Sequence, residues 1–246
     1  MKFDALPGTG KEINELIDRW KRASSDKSSA PAAALDLRDS AATETALRSH
    51  AAGRRVLHLA THGFFLGGGV CDPGGPSTRG IGGLAPTVDV KTGSPPLQFS
   101  GENPLLLSGL VMAGANHRSA AAEGEDDGIL TAEEIGSLDL TSVEWAVLSA
   151  CETGVGDVRA GEGVFGLRRA FQVAGAGSLI MSLWSVDDEA TRVWMNALYK
   201  ARLDRKRDTA ESVREASLEI LRHRRKVGTS SHPFYWGAFV AAGDWR

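Results

Sequence analysis

Cysteine is scarce in this chain of 246 residues, and its two cysteines, Cys71 and Cys151, stand in unrelated contexts. Such a pair does not look like a disulfide framework, so a reducing, cytoplasmic location is expected. Long hydrophobic runs are also missing, because no apolar stretch approaches the ~18–20 residues of a membrane span. The first residues lack the apolar core of a secretory signal. These absences predict a cytoplasmic protein without membrane contact.

An excess of basic charge is lacking too. The formal net charge is −3, which argues against the positive field of a nucleic-acid-binding protein. Gly161 and Gly163 are not followed by the Lys-Ser/Thr of a phosphate loop, so no nucleotide cofactor is expected. What remains, 42% hydrophobic and 24% charged residues, is ordinary for a globular protein long enough to bury a full core.

The motif that stands out most is a buried strand that ends on a cysteine. Trp145–Leu148 is a continuous apolar run, typical of a strand covered on both faces in a parallel sheet. Two small residues, Ser149 and Ala150, lead to Cys151, and Gly154 then permits a sharp turn. Ligands of open α/β sheets bind at the carboxyl ends of the strands. The thiol of Cys151 is therefore predicted to lie at a ligand-binding edge.

A second strand upstream has the same pattern. An apolar segment from Val56 to Ala60 is followed by His62 and Gly63. If the two strands are neighbours in a parallel sheet, the imidazole of His62 and the thiol of Cys151 emerge at the same edge.

This pairing suits covalent catalysis. A cysteine nucleophile needs an imidazole that favours the thiolate and protonates the leaving amine. It also needs backbone N–H groups for the oxyanion, which Gly63 and Cys151 would supply. The alternative is that Cys151 is a small buried hydrophobic residue, as free cysteines often are.

Other candidates have simpler explanations. His58 and His62 have the spacing of a helical zinc pair, but on a strand four residues span roughly 13 Å, too far for one ion. His58 is therefore predicted to be a core histidine or one that supports the site from behind, and no metal is expected. Cys71 lies in a Gly/Pro-rich loop and reads as an ordinary exposed thiol.

Two neighbouring acidic residues, Asp187 and Asp188, follow the third predicted strand, 178–184. One interpretation is that they cap the next helix, where carboxylates suit the free N–H groups and the helix dipole. The other is that one of them lines a pocket that prefers an Arg or Lys side chain of a substrate. Both interpretations stay open from the sequence.

Strands that alternate with helices predict an α/β fold with a mostly parallel central sheet flanked by helices on both faces. Two capping boxes, at Thr9 and at Thr131, are expected to open helices. Residues 1–34 are predicted to form an N-terminal helix and linker, and residues 35–246 the main domain. Residues 67–101, rich in Gly, Pro and Ser, read as a flexible insert.

Taken together, these motifs resemble the CHAT domain family of caspase-like cysteine peptidases, to which separase is related. The resemblance covers nearly the whole chain in order. It rests on Leu59-Ala-Thr-His-Gly63, Asn103-Pro-Leu-Leu-Leu-Ser-Gly-Leu-Val111, Leu130-Thr-Ala-Glu-Glu134, Leu148-Ser-Ala-Cys-Glu-Thr-Gly154, Gly161-Glu-Gly163, Ser182-Leu-Trp184 with Val186-Asp-Asp188, and Phe239 to Trp245.

The resemblance implies a caspase-like α/β fold in which His62 and Cys151 form the catalytic dyad. It also implies that an acidic residue, best matched by Asp188, helps to bind the side chain before the scissile bond. Proteins of this family usually carry helical repeats ahead of the domain, and none occur in this sequence. The expected partners are therefore a protein or peptide substrate and a helical-repeat regulatory region or activator.

The leading hypothesis is a cysteine endopeptidase that cleaves after a basic residue, without a cofactor. The alternative is a non-catalytic or latent signalling module of a larger, repeat-containing protein. A role in bacterial-type signalling or defence would be an analogy drawn from the fold alone.

Overall fold

The computed structural model describes residues 2–25, 33–65, 78–79, 105–106, 108–122, 124–149, 166–184 and 186–245. Its α-helices are α1 (Pro7–Ser25), α2 (Glu44–Ala51), α3 (Ala132–Gly136), α4 (Gly166–Val173), α5 (Asp188–Tyr199) and α6 (Thr209–Lys226). Its strands are β1 (Val56–Leu59), β2 (Gly63–Phe65), β3 (Thr78–Arg79), β4 (Ser108–Val111), β5 (Ile129–Thr131), β6 (Trp145–Leu148), β7 (Ser178–Ser182), β8 (Val186–Asp187) and β9 (Phe239–Gly243).

Short helical turns complete the described secondary structure. They are 3₁₀ turns at Asp39–Ala41, Ala115–Ala120 and Pro233–Tyr235, and a π turn, Lys200–Asp204, that continues α5.

The central sheet has the strand order β1-β6-β7-β9. The first three strands are parallel, and β9 runs antiparallel to β7 at the edge. All four residues of β6 are buried, as are all five of β7. This is the pattern expected of strands covered on both sides, and it explains why Trp145–Leu148 reads as an unbroken apolar run.

Alternate residues of the central strands pack into two separate hydrophobic cores, one on each face of the sheet. Ala146 and Leu148 point to one face, where α2, α3 and α4 contribute Leu47, Ile135, Leu167 and Phe171. Trp145 and Val147 point to the other face, where α1, α5 and α6 contribute Leu16, Trp194, Leu198, Ala216 and Ile220. The predicted mostly parallel sheet with helices on both faces is thus confirmed.

A three-stranded antiparallel sheet, β2-β4-β5, adjoins the carboxyl end of β1. It is joined there by the Val111 N–H, which donates to the His62 carbonyl at 2.9 Å, and by the Thr61 hydroxyl, which donates to the Val111 carbonyl. Gly109 has no room for a side chain, because a Cβ would lie 2.5 Å from the Leu130 carbonyl oxygen. The short strands β3 and β8 form a separate antiparallel pair.

The two predicted capping boxes have different outcomes. At Thr131 both reciprocal bonds of the box form with Glu134, so this prediction is confirmed. At Thr9 the prediction is wrong, because α1 already begins at Pro7, whose fixed φ suits the first helical position. The Thr9 hydroxyl instead donates to the Leu6 carbonyl at 2.7 Å.

The predicted linker and the predicted flexible insert stay predictions. The linker within residues 1–34 and most of the insert at 67–101 lie outside the described residues; of the insert only β3 is described. Helix α1 itself packs into the core through Leu16. Among the described helices, none combines the length and the apolar character needed to cross a lipid bilayer.

Candidate active site

The candidate site lies at the carboxyl end of two neighbouring strands. β1 and β6 are adjacent and parallel, with Leu59 paired with Leu148. The Ser149 N–H donates to the Leu59 carbonyl at 2.9 Å, so the pairing continues past the end of both strands. His62 and Cys151 each follow these paired leucines by three positions. The strand arrangement on which the predicted dyad depends is therefore present.

Cys151 lies outside the described residues, as do Gly154, Gly161, Gly163 and Cys71. The pairing of the Cys151 sulfur with the His62 ring therefore stays a prediction. His62 is described, and its surroundings set the geometry of this half of the site.

A main-chain carbonyl holds the His62 ring. Nε2 of His62 lies 2.8 Å from the carbonyl oxygen of Asp4. Because a carbonyl only accepts hydrogen bonds, Nε2 must carry the proton in this contact. The Phe3 ring packs beside the imidazole, with 5.7 Å between centroids and 37° between ring planes.

The N-terminal segment, residues 2–6, is itself held in place by Asn116. The Phe3 N–H donates to Asn116 Oδ1 at 2.7 Å, and Asn116 Nδ2 donates to the Phe3 carbonyl at 2.8 Å. The Phe3 side chain packs against a small apolar cluster of Phe64, Val111, Ala115 and Ile129. Sequence reasoning missed Phe3, Asp4 and Asn116, since nothing in their local pattern indicates contacts between such distant positions.

Gly63 presents its backbone N–H away from β4. In the antiparallel pair of β2 and β4, Gly63 faces Leu110, while the bond from Val111 to His62 flanks that pair. Gly63 and Leu110 are thus a non-hydrogen-bonded pair, whose N–H groups point outward from the ladder. Because β2 is the edge strand of its described sheet, the Gly63 N–H points to the side of β2 that pairs with no described strand.

The two acidic residues have separate structural roles. Asp187 is the N-cap of α5, and its carboxylate accepts from the Glu189 and Ala190 N–H groups at 3.0 Å each. Asp188 is only 6% exposed, and its Oδ2 accepts from the Gly8 N–H at 2.6 Å. The capping interpretation is confirmed for Asp187. A substrate-binding role for either residue stays a prediction.

His58 lies in the core, as predicted. Its Nε2 is 2.8 Å from Oε1 of Glu12, and its Nδ1 is 3.1 Å from the Tyr199 hydroxyl. Burial, together with the nearby Glu12 carboxylate, raises the pKa of Tyr199 far above its ordinary value, so the phenol stays neutral. Within the described residues, no three His, Cys, Asp or Glu side chains are grouped in a way that could hold a metal ion.

An acidic cleft is lined by Phe64 and by residues of α2, β5, α3 and the loop before β5. Arg48 pairs there with Glu44 at 3.1 Å, with Asp126 at 3.7 Å and with Glu134 at 2.7 Å. Burial raises the pKa of Glu44 above its ordinary value. Three of the carboxylates that line this cleft, those of Glu44, Asp126 and Glu134, are thus paired with Arg48.

The mixed α/β architecture, with its mostly parallel sheet between helices, is consistent with a caspase-like fold. The family model described as "CHAT domain" matches residues 1–244. The chain belongs to this family, which is a family of caspase-like peptidases.

Two curated relatives share part of this sequence. The chain is 33% identical over 116 residues to tetratricopeptide repeat protein 28 of Mus musculus, and 31% identical over the same length to the Homo sapiens protein of that name. Each match covers 47% of this chain but only 4% of the relative. The matched half of the chain therefore corresponds to a small part of these much longer proteins.

Proposed function

We propose that this protein is a cysteine endopeptidase whose catalytic dyad is His62 and Cys151. In the first step the Cys151 thiolate attacks the peptide carbonyl, the peptide C–N bond breaks, and protonated His62 gives its proton to the departing amine. In the second step His62 takes a proton from water, which hydrolyses the thioester and releases the Cys151 thiol.

The observation that carries this proposal is the pairing of β1 with β6. Their parallel register brings the carboxyl ends of the two strands, Leu59 and Leu148, to one edge of the sheet. Membership of a caspase-like peptidase family supports the same assignment. A reducing cytoplasmic compartment would suit a catalytic thiol, since oxidation would block it.

Backbone N–H groups of Gly63 and Cys151 are proposed to hold the oxyanion. The outward N–H of Gly63 is compatible with this role, because it is turned away from the ladder with β4. Glycine at this position also leaves no side chain between the backbone and a substrate carbonyl. Such donors stabilise the charge that develops as sulfur attacks.

The catalytic proposal is tested by cleavage of a fluorogenic peptide library with matched cysteine variants. Cys151→Ala should reduce kcat/KM by about 10³-fold or more, because the nucleophile is lost. Cys71→Ala, which removes the other cysteine of the chain, should leave cleavage unchanged. Equal residual cleavage by the wild type and Cys151→Ala would exclude the dyad.

We further propose that Asp188, with Asp187 beside it, favours substrates with Arg or Lys before the scissile bond. A buried carboxylate attracts a guanidinium or ammonium group strongly. The bond from Gly8 competes for the same carboxylate, so the charge available to a substrate is reduced.

The test of specificity is the ratio of kcat/KM for matched peptides with Arg or with norleucine at that position. Asp188→Asn should lower this ratio by about tenfold, and Asp187→Asn serves as the neighbouring control. An unchanged ratio in the Asp188 variant would remove the carboxylate from substrate selection.

A latent form of the same enzyme is the second candidate. The curated relatives are named for tetratricopeptide repeats, and we propose that a helical-repeat region or an activator protein regulates the domain. Wild-type protein that cleaves nothing but is labelled at Cys151 by a thiol-reactive peptide would support latency. No specific labelling of Cys151 under any condition would favour a non-catalytic signalling module.

A further inference from the structure

We propose that a basic and aromatic surface beside the candidate active site binds an acidic segment of the protein substrate. The inference rests on the proposed peptidase function and adds a second point of recognition, away from the scissile bond. The basic–aromatic surface, as we call it, consists of Trp184, Arg222, Arg224, Arg225, Phe234 and Tyr235.

This surface lies at the same edge of the central sheet as the candidate site. Trp184 follows the carboxyl end of β7, the strand parallel to β6 and next to it. β9 runs antiparallel to β7, and just before β9 begins the Ala238 carbonyl accepts from the Leu183 N–H at 2.8 Å. The segment 227–238, which joins α6 to β9, therefore arrives at the carboxyl end of β7.

Contacts between rings fix this surface in place. The Trp184 and Phe234 rings stack with 6.1 Å between centroids and 12° between planes, and Trp184 Nε1 donates to the Phe234 carbonyl at 2.9 Å. Tyr235 meets Phe234 edge to face, and the Arg224 guanidinium lies 3.9 Å from the centre of the Tyr235 ring. Phe234 is nevertheless 51% exposed and Tyr235 44%. Rings that are already ordered and still open to solvent can bind a partner at little cost in conformational entropy.

Positive charge surrounds these rings without carboxylates to neutralise it. Residues 220–243 contain no aspartate or glutamate, and their cations are Arg222, Arg224, Arg225 and Lys226. Within the part of the chain that the structure describes, none of these cations forms an ion pair, and all except half-buried Arg224 are exposed. Arginines elsewhere in the fold do pair with carboxylates, among them Arg48, Arg55 and Arg205.

The simplest explanation of the cations is that they stabilise the C-terminal end of α6, where positive charge suits the helix dipole. That explanation does not account for the exposed rings beside them. A peptide with both carboxylates and an apolar or aromatic side chain would use the two features together. Its carboxylates would form charge-assisted hydrogen bonds with the guanidinium groups, and its apolar side chain would pack on the rings.

A peptide fits this surface better than a nucleic acid does. Asp187 and Glu189 are exposed at the start of α5, close to Trp184 in the chain. They would repel a continuous phosphate backbone, and the chain as a whole has a formal net charge of −3. A short run of carboxylates can contact the arginines and avoid these two residues.

The position of the surface favours a substrate as the source of this peptide. β9 is the second strand from β6, so at about 4.8 Å between strands the two are roughly 10 Å apart, and an extended chain crosses that distance in about three residues. A polypeptide bound for cleavage at the end of β6 could therefore also reach Phe234 and α6.

The first test is binding of a fluorescein-labelled peptide of Glu and Asp residues around one Phe, measured by fluorescence anisotropy with the Cys151→Ala protein. Arg222→Gln and Arg225→Gln should each weaken binding about threefold, as loss of an exposed ion pair does, whereas Arg225→Lys should keep most of the affinity. Phe234→Ala should weaken binding about fivefold, because the packing of aromatic side chains is lost.

Two variants serve as matched controls. Arg214 is exposed in the first half of the same helix, and Trp245 is an exposed aromatic residue beyond the far end of β9. Arg214→Gln and Trp245→Ala should leave binding unchanged. Thermal denaturation checks that every variant is folded. If Arg225→Gln lowered thermal stability but left binding as in Arg214→Gln, the cations would serve only the helix, and the proposal would be overturned.

Two further ligands test the chemistry of the partner. A matched peptide with Gln and Asn in place of Glu and Asp should bind about tenfold more weakly, and added salt should weaken binding of the acidic peptide. Equal affinity for the acidic and the amide peptide would overturn the proposal. Tighter binding of single-stranded oligothymidylate than of the acidic peptide would overturn it in favour of a nucleic acid.

The second test is cleavage by protein with Cys151 intact. Fluorogenic peptides carry the acidic segment before or after the scissile bond, beside matched peptides with the amide segment. In one of the two positions the acidic segment should raise kcat/KM by about tenfold through a lower KM. Arg222→Gln and Arg225→Gln should reduce this gain and leave cleavage of the amide peptides unchanged. A gain in neither position would overturn the proposal.

The proposed function and this proposal fail in distinguishable ways. Binding of the acidic peptide is measured without turnover, so it can be confirmed even if no peptide is cleaved and the peptidase assignment fails. Conversely, cleavage that depends on Cys151 but is indifferent to acidic segments would leave the proposed function intact and remove only the basic–aromatic surface from it.

Discussion

Two histidines four positions apart on the same part of the chain have opposite surroundings. His58, inside β1, has both ring nitrogens engaged by side chains, those of Glu12 and Tyr199. His62, beyond the end of β1, is held on one nitrogen by a main-chain carbonyl of Asp4. A ring bonded at both nitrogens has no site left for proton exchange, whereas the His62 ring, bonded at one nitrogen by the residues that the structure describes, can still act as a base. The role of a histidine therefore depends more on the hydrogen-bond partners of its ring than on the residue type.

The region around His58 is built for stability. The Glu12 side chain is fully buried, and that of His58 is 11% exposed. Removing one member of a buried, hydrogen-bonded pair leaves the other unsatisfied, which is strongly destabilising. Because Glu12 is on α1 and His58 on β1, the pair also fastens the N-terminal helix to the central sheet. The region around His62 depends on this attachment, since residues 2–6 lead directly into α1.

The largest contrast is expected when each histidine is replaced by alanine. His62→Ala should reduce kcat by about 10²–10⁴-fold, the contribution of a general acid–base, and leave the free energy of unfolding nearly unchanged. His58→Ala should lower the free energy of unfolding by about 3 kcal/mol, because Glu12 would lose a buried partner. Peptide cleavage and urea unfolding measure the two effects. If both variants changed kcat and the free energy of unfolding by similar amounts, the two histidines would not have separate catalytic and structural roles.

Next in size is the effect of the carboxylate that faces His58. Glu12→Ala should lower the free energy of unfolding by about 2–4 kcal/mol, since it leaves polar groups of the core unsatisfied. Glu15→Ala on the same helix is the control: Glu15 is partly exposed and pairs with Arg192, so its loss should cost less than about 1 kcal/mol. Urea denaturation of both variants at neutral pH compares them. Equal losses of unfolding free energy would mean that the buried pair of Glu12 and His58 stabilises the fold no more than the partly exposed pair of Glu15 and Arg192.

A pH-dependent effect follows from Tyr199, the other partner of His58. Its pKa in the folded protein lies well above the ordinary value of 10.0, because the buried ring disfavours the charged form. Stability from this group is therefore complete below pH 10 and falls above it, by up to about 1.4 kcal/mol for each pH unit. Tyr199→Phe should be less stable at neutral pH but should show a shallower alkaline loss.

Denaturation between pH 9 and 11 tests this, with Tyr235→Phe as the control, because Tyr235 is 44% exposed. The Tyr235 variant should follow the wild-type curve. If the alkaline loss of Tyr199→Phe were as steep as that of the wild type, another group would be responsible.

The smallest expected effect concerns the cap next to the candidate site. Asp187→Ala should lower the free energy of unfolding by about 1 kcal/mol, because two N–H groups at the start of α5 lose their acceptor. Asp187→Ser should restore most of the loss, since a hydroxyl also caps a helix. Thermal denaturation measures both variants. A fully stable alanine variant would show that the cap is dispensable and would leave Asp187 open to a role in substrate binding.

Much of the fold could be predicted because it rests on local patterns. The apolar run of β6, the capping box at Thr131 and the N-cap at Asp187 each depend on residues close together in the sequence. Strand geometry predicted that His58 and His62 do not share a metal ion, and the contacts of His58 with Glu12 and Tyr199 place it in the core. The capping box predicted at Thr9 is wrong, because α1 begins at Pro7 and the Glu12 side chain contacts His58 in the core.

The sequence by itself determined which segments become strands and helices, and which side chains could perform the chemistry, because these depend on short-range periodicity and on residue type. Only the tertiary structure decided that β1 lies beside β6 and that His62, Asn116 and Asp188 contact the start of the chain. These contacts join residues far apart in the sequence. Their geometry is set by packing of the whole domain, and no local pattern encodes it.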